Sequence, residues 1–313
     1  MPSLSERLGQ GDSILLDGAT GTELQRRHIP TPLPLWSAAA LINQPDAVRQ
    51  IHLDYLAAGA DILTTNTFRT YRRTLARAGL GDRAQTLTYR AVTLAIQARR
   101  DAGLRSSVWI AGSMSPLEDC YAPHLTPSPA ECDEEHGEMA QYLAAAGVDI
   151  ILVETMNTIR EAVAAAAAAR RTRLPFMVSF VCSYDRRLLS GETLADAAAA
   201  IEPLEPLALM VNCMSTPTVL PALQELRAAT DRPIGAYANI GHSQPDWGWN
   251  FSEDISVEAY GRHARNWLAV GAQIVGGCCG TTPAHITVLA DVIYEHLDVR
   301  QHQPVRDRAI STA

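Results

Sequence analysis

The sequence predicts a single (β/α)8 TIM barrel, α/β in class. Three observations predict it: eight short apolar runs, helix-like segments between them, and a length of 313 residues that suits one such barrel. The runs begin with SILLDGA (Ser13 to Ala19), DILTTNTF (Asp61 to Phe68), VWIAGSM (Val108 to Met114) and DIILVET (Asp149 to Thr155). They continue with PFMVSFVC (Pro175 to Cys182), LALMVNC (Leu207 to Cys213), PIGAYAN (Pro233 to Asn239) and AQIVGGCC (Ala272 to Cys279). Runs that are apolar throughout suit parallel strands covered on both faces.

The first helical pattern, QPDAVRQIHLDYLAAGA, places Val48, Ile51, Leu53, Tyr55 and Leu56 at helical spacing, with Pro45 near its start and Gly59 at its end. The stretch from about Tyr71 to Ala102 is long enough for two helices. DEEHGEMAQYLAAAGV, TIREAVAAAAAARR, TLADAAAAIEPL, TPTVLPALQELRAAT, SVEAYGRHARNWLAVGA and TPAHITVLADVIYEHL complete the alternation. A doubly wound open sheet would alternate in the same way, so the pattern alone leaves both open. The barrel is expected over residues 1–298, with a polar tail at 299–313. Two connections are long, SPLEDCYAPHLTPSPAEC after the third run and IGHSQPDWGWNFSEDI after the seventh. Both follow strand C-termini, the face on which barrels carry their sites.

The net charge of −8 and the lack of a basic run argue against a nucleic-acid surface. No apolar stretch is long enough for a membrane span, and the N-terminal MPSLSERLGQGDS has no signal-peptide pattern, so a cytoplasmic protein is expected. In that setting the six cysteines read as reduced thiols.

The residues that close the runs are Asp17, Asn66, Ser113, Glu154, Cys182, Cys213, Asn239 and the adjacent Cys278 and Cys279. A barrel would gather them at one mouth. Three thiolates from Cys213, Cys278 and Cys279, with a fourth position open, describe a catalytic zinc site. Gly276, Gly277 and Gly280 are expected to supply the unusual backbone angles that turn adjacent sulfurs inward. The plainer reading is a buried cysteine pair and an unrelated third. Zinc would hold a substrate thiol as thiolate, and Asp17 with Glu154 would suit an amine on that substrate. Cys120 and Cys132 lack the spacing for a second metal with His124 or His136. Cys182 reads as filler, and His52, His263 and His285 as surface or packing residues.

VNC, the distant GGCCG, LDGATGTEL near the start and TTNTF after the first helix together resemble the homocysteine S-methyltransferase family, over about Ser13 to Leu297. The resemblance implies a zinc-dependent barrel that moves a methyl group onto the homocysteine sulfur to form methionine. It implies Cys213, Cys278 and Cys279 as the zinc ligands and catalytic centre, and Asn239 as a displaceable fourth ligand. It implies Asp17 and Glu154 at the substrate amine, and Gly18 and Ala19 at its carboxylate through backbone N–H groups.

Homocysteine and a methyl donor are the expected partners. Trp36, in LWSA, matches an aromatic of the donor site. Arg69 and Thr155 stand where the betaine branch carries tyrosines, and a cation at Arg69 would repel another cation. A sulfonium donor, S-methylmethionine or S-adenosylmethionine, is therefore expected ahead of betaine. Trp247 and Trp249 could line the donor pocket or close over it. Three other readings stay open: the same chemistry with betaine or another donor, the same chemistry on another thiol or selenol, and a non-catalytic zinc- or thiol-binding barrel.

Overall fold

The computed structural model describes residues 2–104, 107–244, 248–250 and 255–302. The strands are β1 (Ile14–Leu15), β2 (Ile62–Thr64), β3 (Trp109–Met114), β4 (Ile150–Met156), β5 (Phe176–Phe180), β6 (Ala208–Ser215), β7 (Ile234–Asn239), β8 (His242–Gln244), β9 (Gly248–Asn250) and β10 (Ala272–Gly277). Among the described residues eight of them form one parallel sheet in the order β1-β10-β7-β6-β5-β4-β3-β2. A parallel bridge between Leu16 and Ile62 joins its two ends. Asp61 N–H donates to Leu15 O at 2.8 Å and Asp17 N–H to Ile62 O at 3.0 Å across that seam. The sheet is thus a closed barrel, and the open-sheet alternative is excluded.

Strand side chains alternate between the barrel interior and the helices. The interior is filled by Leu16, Leu152, Met177, Met210 and Ile274, among others. The larger apolar layer lies outside, between strands and helices. The helix Ile159–Arg171 meets that layer with Ala162, Ala165, Ala166 and Ala169, all buried. Small side chains on this face let the helix lie close to the sheet. Side-chain caps start several helices: Ser128 with Glu131 in a reciprocal box, Thr158, Thr193 and Ser256. Each such cap contributes about 1 kcal/mol.

Three pieces go beyond the sequence-based expectation. A short helix, Leu4–Gly9, inserts Leu4 and Leu8 beneath the interior layer, and Gln273 donates to Leu8 O at 2.8 Å. Short helices Gly21–Arg26 and Ala38–Asn43 follow β1. Strands β8 and β9 pair as an antiparallel hairpin in the connection after β7. Trp247 lies outside the described residues, and Trp249 is the middle residue of β9. The segment after β2 holds two helices as expected, Arg72–Ala76 and Ala84–Asp101. The last helix runs from Pro283 to His302, four residues beyond 298, and 303–313 lie outside the described residues. Among the described residues no helix is long and apolar enough to cross a membrane.

Candidate active site

The inner face that carries apolar side chains lower in the barrel carries polar ones at its C-terminal end. Ser113 follows Ala111 by two residues, Glu154 follows Leu152, Ser179 follows Met177 and Asn212 follows Met210. The alternation then breaks in two places. Thr155 and Cys213 adopt φ of 61° and 56°, in the left-handed region, so Glu154–Thr155 and Asn212–Cys213 each turn consecutive residues to the mouth. Such a residue costs of order 1 kcal/mol and needs bracing. Asn212 supplies it: its Oδ1 accepts from Thr155 N–H at 3.0 Å and from Ser179 Oγ at 2.7 Å, and its Nδ2 donates to Thr155 Oγ1 at 2.8 Å.

The sulfurs of Cys213, Cys278 and Cys279 all lie within 4.8 Å of one another. A thiophilic ion with metal–sulfur bonds of about 2.3 Å needs sulfurs about 3.8 Å apart in a tetrahedral shell, so small rotations close the triad on one ion. Among the described residues it is the one cluster of His, Cys, Asp or Glu with ligand spacing. Cys278 and Cys279 both hydrogen-bond to the Cys213 sulfur, which holds the Cys213 thiol well below its ordinary value and raises its two partners. Three sulfurs this close are a donor set for a soft cation.

The turn that carries the pair is fixed from several sides. Thr281 donates to Cys278 O through N–H at 3.1 Å and Oγ1 at 2.7 Å. Gly280 N–H donates to Thr22 Oγ1 at 2.9 Å. Of the three glycines expected to adopt unusual angles only Gly280 does, with φ of 87°. Gly276 and Gly277 are needed for space: a Cβ at Gly276 would sit 2.5 Å from Leu16 Cβ, and one at Gly277 would strike the Thr281 side chain.

Asn239 Oδ1 accepts from Cys279 N–H at 3.0 Å. Its amide also supports the Cys213 thiolate. A residue without a role in the sequence reading, Tyr121, brings its hydroxyl to 3.1 Å from Cys213 Sγ and 3.2 Å from Cys213 O. It comes from the long β3 connection. That segment is anchored by Leu117 N–H donating to Glu161 Oε1 at 2.7 Å, with His136 Nε2 3.2 Å from the same oxygen and Tyr71 Oη 3.0 Å from His136 Nδ1. Loss of one hydrogen bond to a charged group is worth about one pKa unit or more. Tyr121→Phe should accordingly raise the Cys213 pKa in metal-free protein, read as a shift in the pH profile of its alkylation; an unmoved profile would show that the contact has no electrostatic weight.

A cavity of about 750 Å3 opens above the triad. Asp17, Gly18, Ala19, Trp36 and Glu154 line it together with all three cysteines. Asn239 lies instead on a smaller cavity of about 310 Å3 behind Cys213, where Cys182 also sits. Asp17 Oδ2 accepts from Thr64 N–H at 2.8 Å. Glu154 accepts a short hydrogen bond from Ser113 Oγ and another from Tyr237 Oη at 3.3 Å. Burial pushes Asp17 up to about 8 and Glu154 up to about 7, and the charge of Glu154 adds to the rise at Asp17. Among the described residues no cation is a leading influence on either, so the pair is set to receive one from a ligand.

Around the acids the walls are close-packed. Gly18 leaves room for the Tyr55 ring, whose hydroxyl donates to Ala19 O at 2.8 Å. Ala19 N–H reaches Thr281 Oγ1 at 3.3 Å, which ties this loop to the cysteine turn. Gly21 leaves room for the Trp36 indole. Other residues are structural. Cys120 is buried on the cavity wall, and Cys132 is buried beneath the helix Pro129–Ala146. His52 is fully buried without a hydrogen-bond partner and is kept neutral by burial, at a pKa of about 4.

Comparison with known proteins agrees with this arrangement. A model of the homocysteine S-methyltransferase family matches residues 14–293. Homocysteine S-methyltransferase YbgG of Bacillus subtilis is 30% identical over 293 residues, covering 88% of this chain and 93% of that protein. Homocysteine S-methyltransferase of Escherichia coli is 30% identical over 303 residues, 90% of this chain and 96% of its own. Selenocysteine methyltransferase of Astragalus bisulcatus is 28% identical over 318 residues, 90% of this chain and 93% of its own. The metallated form of the homocysteine methyltransferase MmuM from Escherichia coli superposes with a TM-score of 0.80 at 28% identity, covering 91% of this chain and 98% of that one. On the family model and these relatives, the chain belongs to the homocysteine S-methyltransferase family and is an enzyme of that class.

Proposed function

We propose that this enzyme moves a methyl group from a sulfonium donor, S-methylmethionine or S-adenosylmethionine, to the thiol of homocysteine, with a zinc ion held by Cys213, Cys278 and Cys279. The observation that carries the reading is the placement of the thiol triad and the Asp17–Glu154 pair on one cavity wall. A bound zinc ion supplies thiolate character to a substrate sulfur at neutral pH.

The chain's own residues do the rest. Asp17 and Glu154 bind the amine and so aim the sulfur at the triad. Gly18 would meet the substrate carboxylate with its backbone N–H, and Ala19 N–H would have to leave Thr281 Oγ1 to join it. Asn239 is the displaceable fourth ligand: its amide oxygen has two lone pairs, and Cys279 N–H uses one. Trp36 forms an apolar wall for the donor. The sulfur's lone pair forms the new S–CH3 bond as the donor's C–S bond breaks, and the electron pair leaves on a neutral thioether. No acid is needed for that departure, so catalysis is positioning and thiolate activation. Free thiols of this kind persist in a reducing compartment, which supports a cytoplasmic setting.

The test is methionine formation by reduced, zinc-loaded enzyme with homocysteine and S-methylmethionine, S-adenosylmethionine, betaine or dimethylsulfoniopropionate. Methionine from a sulfonium donor is expected. Methionine from betaine alone would overturn the donor assignment, and a selenol methylated in preference to homocysteine would overturn the acceptor.

The raised acids also predict a pH dependence. Amine binding must expel the proton held by Asp17, with its pKa near 8. Methionine shares the amine and carboxylate but has no thiol, so its binding isolates this step. Its affinity should fall about tenfold from pH 8 to pH 7, and faster below, where Glu154 is protonated too. Calorimetric titrations across that range check it; a flat profile would remove the acids from amine binding. Without ligand the sign reverses. Both folded-state pKa values lie above their unfolded values, so the stabilisation present below about pH 4 is lost as pH rises through 7 and 8.

A further inference from the structure

The main cavity carries charge at two poles. Asp17 and Glu154 lie at the strand ends beside the thiols. Arg69 lies in the segment after β2, half buried, on the same cavity with Phe68 and Trp36. Its guanidinium stands over the Phe68 ring, 5.7 Å from the centroid. Asp119 lines the same cavity, but among the described residues no carboxylate forms an ion pair with Arg69. Its neighbours in sequence are all engaged: Arg72 with Glu138, Arg73 with Glu118, Glu131 and Glu135, and Arg77 with Glu118. A half-desolvated arginine in a cavity wall, left out of this ion network, offers its planar fork to a carboxylate from outside the protein.

Among the described residues no hydrogen bond or ion pair joins the two poles. Thr64 and Glu154 act on the Asp17 carboxyl, and Ser113, Cys213 and Tyr237 act on Glu154. Arg69 acts elsewhere, on the Cys120 thiol, where it partly offsets the rise caused by burial. Homocysteine carries its amine and carboxylate on one carbon, so its carboxylate stays at the acid pole near Gly18 and Ala19. The anion for Arg69 must come with the second substrate.

We propose that Arg69 anchors the carboxylate of the methyl donor, so that the preferred donor is a zwitterion with a sulfonium methyl at one end and a carboxylate at the other. This rests on the sulfonium reading above and narrows it. The positive sulfur is drawn toward the thiolate pole and the carboxylate toward Arg69, which orients the methyl at the acceptor sulfur. A cationic donor without a carboxylate meets only repulsion from Arg69.

The test compares dimethylsulfoniopropionate with trimethylsulfonium ion, which lacks the carboxylate, in wild type, Arg69→Gln and Arg69→Lys. In Arg69→Gln, kcat/KM for dimethylsulfoniopropionate should fall roughly 10- to 100-fold, the range for a lost hydrogen bond to a charged group. The trimethylsulfonium value should hold or rise, and the KM for homocysteine should stay within about twofold of wild type. Arg69→Lys should recover part of the loss. Calorimetric binding of the two sulfonium ions to metal-loaded protein gives the same comparison without turnover. An equal loss for both donors would reduce Arg69 to a structural part. A raised homocysteine KM would assign Arg69 to the acceptor instead, and no change in either ion's binding would end the proposal. Wild-type protein that binds the zwitterion through Arg69 but transfers from no donor would sink the functional reading and leave this one standing.

Discussion

Cys213→Ser should lower methionine formation by at least about 1,000-fold and strip the bound metal on dialysis. The substitution is nearly isosteric and keeps the left-handed backbone at 213, so the barrel itself should stand. What changes is the donor. A serine hydroxyl does not ionise near neutral pH, and it is a hard ligand where a soft ion is held. A thiolate tripod becomes a pair. Dividing a site energy of about 10–16 kcal/mol over four ligands gives about 3 kcal/mol for one, or roughly 100-fold in metal affinity. The substrate thiol then loses its activation as well. Metal content by emission spectroscopy, methionine yield and far-UV circular dichroism, measured together, separate a chemical loss from a folding loss. Wild-type turnover in a fully metallated Cys213→Ser protein would overturn the mechanism.

Gly276→Ala should cost about 3 kcal/mol of stability, near the upper range for overpacking. The added methyl would face Leu16 Cβ at 2.5 Å and the carbonyl oxygens of Leu16 and Asp17 at 3.2 Å. These are backbone and Cβ atoms, which cannot swing away, so relief requires β1 and β10 to part. Those strands are held by Leu16 N–H to Val275 O at 2.8 Å and Gly277 N–H to Asp17 O at 3.0 Å. A melting temperature lower by roughly 6–10 °C is expected from the usual shift per kcal/mol in proteins of this size. The KM for homocysteine should also rise, because Asp17 moves with the strand. A variant that melts with wild type would show that the seam is looser than its hydrogen bonds indicate.

The barrel was legible because burial on both faces writes itself as apolar runs, and each run overlaps one barrel strand, β4 and β6 running on past theirs to Met156 and Ser215. Their ends were less legible. β1 spans only Ile14–Leu15 and β2 only Ile62–Thr64, because the chain leaves the ladder early to place Asp17 and Asn66 at the mouth. The thiol triad and acid pair could be read from strand-closing positions, since topology alone brings those together. The left-handed turns at Thr155 and Cys213 could not, because neither residue type announces such a conformation. Tyr121 was missed for a different reason: it reaches Cys213 from a long connection whose path depends on the buried Tyr71–His136–Glu161 chain. The glycines of GGCCG were read as hinges, and two of them proved to be clearances, which only the neighbouring strand could reveal.

The helix Leu4–Gly9 has a kinetic consequence. With Leu4 and Leu8 sealing the underside and Leu152, Met177 and Met210 filling the middle, the barrel is a blind well. Among the described residues the main cavity opens at the mouth of the barrel, with Trp36 and Arg69 on its wall. With homocysteine seated against the acids as proposed, the acceptor is expected to enter before the donor. Departure is then expected in reverse, and methionine made from homocysteine, left on the floor of the well, competes with fresh homocysteine for its seat.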